Sequence, residues 1–117
     1  MKTILVVDDE PDIRDSVKMI LESRGYTVDT AENGDECLKK IKDSKPDIVL
    51  LDIMMPGTPV TEIVKKINDV KIAFMSVVRI SEARKKGLCT KDNIVDFIQK
   101  PFDVGDLVGR VELILGE

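Results

Sequence analysis

Short apolar runs alternate along this chain with stretches of helical period. The runs predict strands near 3–8, 26–31, 47–52, 70–76 and 94–99. Between them, apolar residues recur every three or four positions near 11–24, 34–43, 60–67 and 103–115, which gathers them on one face of a helix. Ile13, Val17, Ile20 and Leu21 form the first stripe, with Pro11 suited to the opening turn and Gly25 to the stop. Asn33 is placed to cap the second helix, whose inner face carries Cys37, Leu38 and Ile41. Lys45-Pro46 breaks the chain before the third strand. Asp103 is placed to cap the last helix, and Phe102 and Leu107 to close over its entry as a hydrophobic staple. Its inner face carries Leu107, Val111, Ile114 and Leu115. Between Arg79 and Asn93 the pattern is weaker: a short helix over 81–86, stopped by Gly87, and then loop.

Five β units alternating with helices predict an α/β fold, an open parallel sheet with helices on both faces. The run Ile48-Val49-Leu50-Leu51 is apolar throughout, as a strand buried on both faces should be. In such sheets ligands bind at the carboxyl ends of the strands, where the winding direction reverses. Acidic residues stand at those ends. Asp8 and Asp9 follow Ile4-Leu5-Val6-Val7, Asp52 follows Leu51, and Lys100-Pro101 follows the run ending at Gln99. Carboxylates crowded at one edge repel each other and favour a divalent cation, while an ammonium beside them favours an anion. A site suited to both is a phosphoryl site. One aspartate after a strand would be read as a helix cap. Two in tandem, a third ending another strand and a lysine ending a fifth call for more than capping.

Composition narrows the classes. The 117 residues fit one domain over 1–117, with 43% hydrophobic and 34% charged residues, the balance of a globular chain. The net charge of −4 disfavours direct binding to nucleic acid or anionic lipid. Lys39-Lys40, Lys65-Lys66 and Arg84-Lys85-Lys86 are read as solvated helix faces. Four apolar residues near the N-terminus fall short of the roughly 7–15 of a secretion signal, and no run reaches the ~20 of a membrane span. A cytoplasmic protein without membrane contact is expected. Cys37, on a helix, and Cys89, in or near a loop, lack CxxC spacing and are expected as reduced thiols. There is no histidine, so no imidazole base, nucleophile or zinc ligand is available. Neither G-x-G-x-x-G nor G-x-x-x-x-G-K-[ST] occurs, which disfavours nucleotide binding.

Four segments together resemble the receiver domain of two-component response regulators, in the family's order and on the predicted elements. They are Val6-Val7-Asp8-Asp9-Glu10-Pro11, the stretch from Pro46 to Gly57 around Leu51-Asp52-Ile53-Met54-Met55-Pro56, Ser76, and Lys100-Pro101-Phe102. The resemblance implies a flavodoxin-like sheet of strand order 2-1-3-4-5. It implies that Asp52 is the phosphoacceptor, charged by a sensor histidine kinase or a small donor such as acetyl phosphate. Asp9 would bind Mg²⁺ directly and Asp8 mainly through water, with Asp52 and the backbone carbonyl of Met54 completing the protein ligands. Such a donor set suits a hard cation that keeps several waters. Lys100 and Ser76 would hold phosphoryl oxygens, and the Lys100-Pro101 peptide would be cis, as in the family. Ser76 and Phe97 would form the switch, changing a surface near the fourth helix, fifth strand and fifth helix that a downstream protein reads. The resemblance does not specify that protein; phosphorylation-dependent homodimerisation stays open.

Several residues depart from the family pattern. Phe97 stands where tyrosine is commoner, and Val77 and Val78 follow Ser76 where a small residue is usual. Met54 lies two residues after the phosphoacceptor. These apolar groups are placed to crowd hydrolytic water, so a long-lived acyl phosphate is expected. The Asp-Gly usual after Met-Pro is missing, as is the Gly-Ala usual before the fifth strand, so an unusual output face is expected. Two other classes compete. A phosphatase of the haloacid dehalogenase kind shares the aspartyl-phosphate chemistry but needs a carboxylate two residues after its nucleophile, where this chain has Met54. A phosphorylation-independent binding module would not need the acidic set with Lys100. A stand-alone receiver or a piece of a longer regulator is expected, and the sequence does not choose between them.

Overall fold

A computed structural model describes residues 2–85, 87–88 and 90–116 of the chain. Cys89, expected in or near a loop, lies outside the described residues, as does Lys86, the last residue of the expected 81–86 helix. The elements run β1 (Thr3–Val7), α1 (Pro11–Glu22), β2 (Thr27–Ala31), α2 (Gly34–Asp43) and β3 (Ile48–Leu51), then α3 (Val60–Lys66), β4 (Lys71–Ser76), α4 (Ile80–Lys85), β5 (Ile94–Gln99) and α5 (Val104–Leu115). The sheet order is β2-β1-β3-β4-β5 with every neighbouring pair parallel, the flavodoxin-like order the resemblance implies.

Period-two alternation divides the apolar residues between two cores. Leu5, Val7, Val49, Leu51, Ile72 and Phe74 face one layer, packed with Cys37 of α2, Ile63 of α3 and Ala83 of α4. Ile4, Val6, Ile48, Leu50, Ala73 and Met75 face the other, packed with Val17 and Leu21 of α1 and Leu107 and Val111 of α5. β3, buried at all four positions, is the strand shared fully by both.

The local signals behave as their chemistry requires. Pro11 opens α1, Asn33 accepts the Glu36 N–H at 2.8 Å, and Asp103 accepts the Asp106 N–H at 2.6 Å. Phe102 packs against the core cluster that contains Leu107. α1 ends two residues short of its expected limit, because the chain turns at Ser23 and Arg24 before Gly25 takes a left-handed φ of 92°. β1 and β3 stop at Val7 and Leu51, so the acidic residues follow the strands rather than ending them. α2 and α3 come so close that a Cβ at Gly34 would lie 2.4 Å from Ile63 Cγ1. Beyond α4, Lys91 Nζ donates to the carbonyls of Val64 and Ile67 at 3.0 and 2.8 Å, closing the C-terminal end of α3.

Candidate functional site

Parallel pairing brings the key residues together. Val7 of β1 lies opposite Leu51 of β3, so Asp8 and Asp52 leave adjacent strands side by side. Their N–H groups still donate along the ladder, Asp8 to the Ala31 carbonyl at 3.2 Å and Asp52 to the Val7 carbonyl at 3.0 Å. This is where the winding reverses, β2 lying on one side of β1 and β3 on the other. Asp8 is fully buried and Asp52 is 3% exposed.

Lys100 reaches the same point from the end of β5. Its Nζ lies 2.5 Å from Asp8 Oδ2 and 3.5 Å from Asp52 Oδ2, an ammonium bridging two buried carboxylates. The Lys100-Pro101 peptide is cis. The Lys100 N–H donates to the Ser76 carbonyl at 2.8 Å, which ties the β5 end to the β4 end. Ser76 is buried, and its Oγ accepts the Val78 N–H at 3.3 Å. The Asp52 carboxylate also accepts the Met54 N–H at 3.1 Å, a turn that curls the next loop around it. Met54 is 55% exposed and Val77 61%, while Val78 is buried. An adjoining cavity of about 350 Å³ is lined by Glu10, Ile13, Val77, Lys100, Pro101 and Phe102. Phe97 is buried, its ring meeting that of Phe74 edge-on at 6.2 Å between centroids.

The electrostatics follow from this crowding. Burial pushes the Asp52 carboxyl above its ordinary value. The Met54 N–H and the Lys100 ammonium oppose the rise, Asp8 adds to it, and a hydrogen bond with Ser76 opposes it. Burial works against the charge on Lys100, but its bond to Asp8 and the nearby charge of Asp52 outweigh this, and its pKa is raised. Lys100 is therefore a firmly held cation.

Two residues without an expected site role belong to the same neighbourhood. Carboxylate oxygens of Asp8, Asp9 and Glu10 fall within 4.8 Å of one another, so Glu10 joins the acidic group. Its place directly after the tandem aspartates was the available signal. Arg14, one turn into α1, donates from Nη1 to the Asp8 carbonyl at 2.7 Å. Nothing in a helical arginine announces that contact. Asp9 and Glu10 are exposed, and Asp9 makes no hydrogen bond or ion pair among the described residues. An all-oxygen donor set, part of it open to solvent, fits a hard divalent cation such as Mg²⁺.

Comparison with known proteins agrees with this geometry. The family model of the response regulator receiver domain matches residues 4–112. The chain is 41% identical over 115 residues to the transcriptional regulatory protein ResD of Bacillus subtilis, covering 96% of this chain and 47% of that protein. It is 36% identical over 120 residues to the phosphate regulon regulator PhoB of Pseudomonas aeruginosa, covering 97% and 52%. The chain thus spans about half the length of the curated relatives it matches. Among solved structures it is similar to the response regulator TrrA of Thermotoga maritima in complex with Mg(2+)-BeF, with a TM-score of 0.85, 39% identity and coverage of 98% of this chain and 100% of that one. The chemotaxis protein CheY4 of Vibrio cholerae aligns with a TM-score of 0.86 and 26% identity over 98% of this chain and 99% of that one. No described helix is long and apolar enough to cross a membrane. A receiver match along nearly the whole chain, on a sheet of the same order, decides the classification: the chain belongs to the response regulator receiver domain family.

Proposed function

We propose that Asp52 is a phosphoryl acceptor, charged by the phosphohistidine of a sensor histidine kinase or by a small donor such as acetyl phosphate. The observation that carries this is Lys100, held between Asp8 and Asp52 at the strand ends. In transfer from a kinase, an Asp52 oxygen bonds the phosphorus while the phosphorus–nitrogen bond breaks and its electron pair returns to the imidazole. No proton donor is needed from this chain, which suits a site without histidine. The Asp8 and Asp9 carboxylates, with Asp52 and the Met54 carbonyl, would hold Mg²⁺; the Thermotoga relative's Mg(2+)-BeF complex supports that choice. Once bound, Mg²⁺ would neutralise charge on the transferring phosphoryl group.

Lys100 then serves the incoming phosphoryl oxygens as a point charge, exchanging part of its hold on Asp8 for the new anion. Ser76 donates its hydroxyl proton to another oxygen. The apolar wall of Ile13, Val77, Pro101 and Phe102, of which Val77 and Pro101 are exposed, gives a donor protein a surface beside Lys100. Phosphorylation adds charge and acceptor oxygens at Asp52. Ser76 and Phe97 carry that change toward α4, β5 and α5, where a downstream protein or a second copy binds one state better than the other. Met54, where a phosphatase would need its acid/base carboxylate, leaves that enzyme class without support.

Incubation with acetyl phosphate tests the reading. In Mg²⁺ the intact mass rises by one phosphoryl group per chain, and a chelator prevents it. An unchanged mass in saturating Mg²⁺ with competent donors, kinases included, contradicts it.

A further inference from the structure

The structure assigns Arg14 a role no motif announces: we propose that it is a positioning residue for the cation site, holding the Asp8–Asp9 peptide so that Asp9 presents its carboxylate correctly. This rests on the reading of Asp8 and Asp9 as cation-binding residues.

The argument starts from what fixes each aspartate. The Asp8 carboxylate is held at both oxygens, Oδ2 by Lys100 at 2.5 Å and Oδ1 by the Glu10 N–H at 3.0 Å. The Asp9 carboxylate is exposed and has no partner among the described residues, so its placement is inherited from the main chain. That main chain is gripped by Arg14, whose Nη1 donates to the Asp8 carbonyl, the oxygen of the peptide leading into Asp9, at 2.7 Å. The Arg14 side chain is only 13% exposed. Its own backbone is fixed by the first turn of α1, its N–H donating to the Glu10 carbonyl at 3.1 Å.

The choice of partner is informative. The Arg14 guanidinium makes its short contact to a neutral carbonyl. The ion pair it does make, Nη2 to Glu32 Oε1, is long at 3.9 Å. A cation that served only to offset charge would pair with a carboxylate. One that donates along a carbonyl direction fixes a peptide plane, and a charge-assisted bond does so firmly.

The two roles predict opposite signs. If Arg14 were only a nearby positive charge, removing it would tighten Mg²⁺ binding by relieving repulsion. If it positions Asp9, removing it weakens Mg²⁺ binding, since outer partners of metal ligands typically account for about 10–100-fold in affinity. Calorimetric titration of Mg²⁺ into Arg14→Met should show dissociation at least about 10-fold weaker than in the parent chain. Arg14→Lys, which keeps the charge and one donor, should recover part of the loss. In acetyl phosphate assays the deficit should lie in the Mg²⁺ concentration required and be overcome at high Mg²⁺. Affinity that is unchanged or tighter in Arg14→Met overturns the proposal. Should that variant fail to fold, as judged by its thermal transition, Arg14→Lys decides, since a bystander charge predicts no change there. Failure of the parent chain itself to bind Mg²⁺ would instead refute the cation site on which the proposal rests.

Discussion

Lys100 is the residue on which the resting site depends. Two carboxylates buried beside one ammonium are tolerable; the same two without it are not, because breaking a buried pair costs about 3–5 kcal/mol. Lys100→Met should therefore lower unfolding stability at neutral pH by about 3 kcal/mol in urea titration. Mg²⁺ should restore part of that loss, since a divalent cation answers the same charges. A variant as stable as the parent would show that Asp8 and Asp52 do not need this counter-charge. Met54 and Val77 are both exposed close to the site residues in sequence, Met54 two positions after Asp52 and Val77 directly after Ser76. In the reading above they shield the acyl phosphate from water, so Met54→Asn with Val77→Ala should shorten its lifetime severalfold. Equal decay rates would remove the shielding. Asp8, Asp9, Asp52 and Lys100 were all legible as strand-end charges, because placement at a sheet edge needs only apolar runs and their order. Lys100 resting on Asp8 was not, because a side-chain pairing across 92 residues leaves no mark on local pattern.

At the scale of the element, helix and strand positions followed from period and capping chemistry, and boundaries moved by one or two residues where turns took over. The short α4 was the weakest signal. It has six residues and only Ala83 buried, so there is little stripe to see. The approach of α2 to α3 left only a faint trace, one glycine at the start of a helix. Gly34→Ala places a methyl group against Ile63 at the buried α2–α3 contact. It should cost about 1–3 kcal/mol, the usual range for overpacking. Combining it with Ile63→Ala should cost less than the two changes summed, since the second makes room for the first. Strict additivity would contradict the contact. Gly109, within α5 and with open space where its Cβ would be, is the opposite case. Gly109→Ala should raise stability by roughly 0.5–1 kcal/mol through helix propensity alone.

Across the whole molecule, a doubly covered parallel sheet serves one purpose at one edge. The two cores fix five strands, and the strands deliver Asp8, Asp52, Ser76 and Lys100 to the point where the winding reverses. The strand order itself came from family resemblance, since alternation of elements specifies a parallel sheet without ordering it. The output surface was the least legible part, because a surface read by a partner needs no inward pattern. The central claim is that Asp52 forms an acyl phosphate. Borohydride reduction of the acetyl phosphate-treated chain tests it most directly, converting an aspartyl phosphate to homoserine that peptide mass spectrometry can place. Homoserine at position 52, absent when Mg²⁺ is chelated, is the predicted result. A chain that gains phosphoryl mass yet keeps aspartate at 52, or shows homoserine elsewhere, would contradict it.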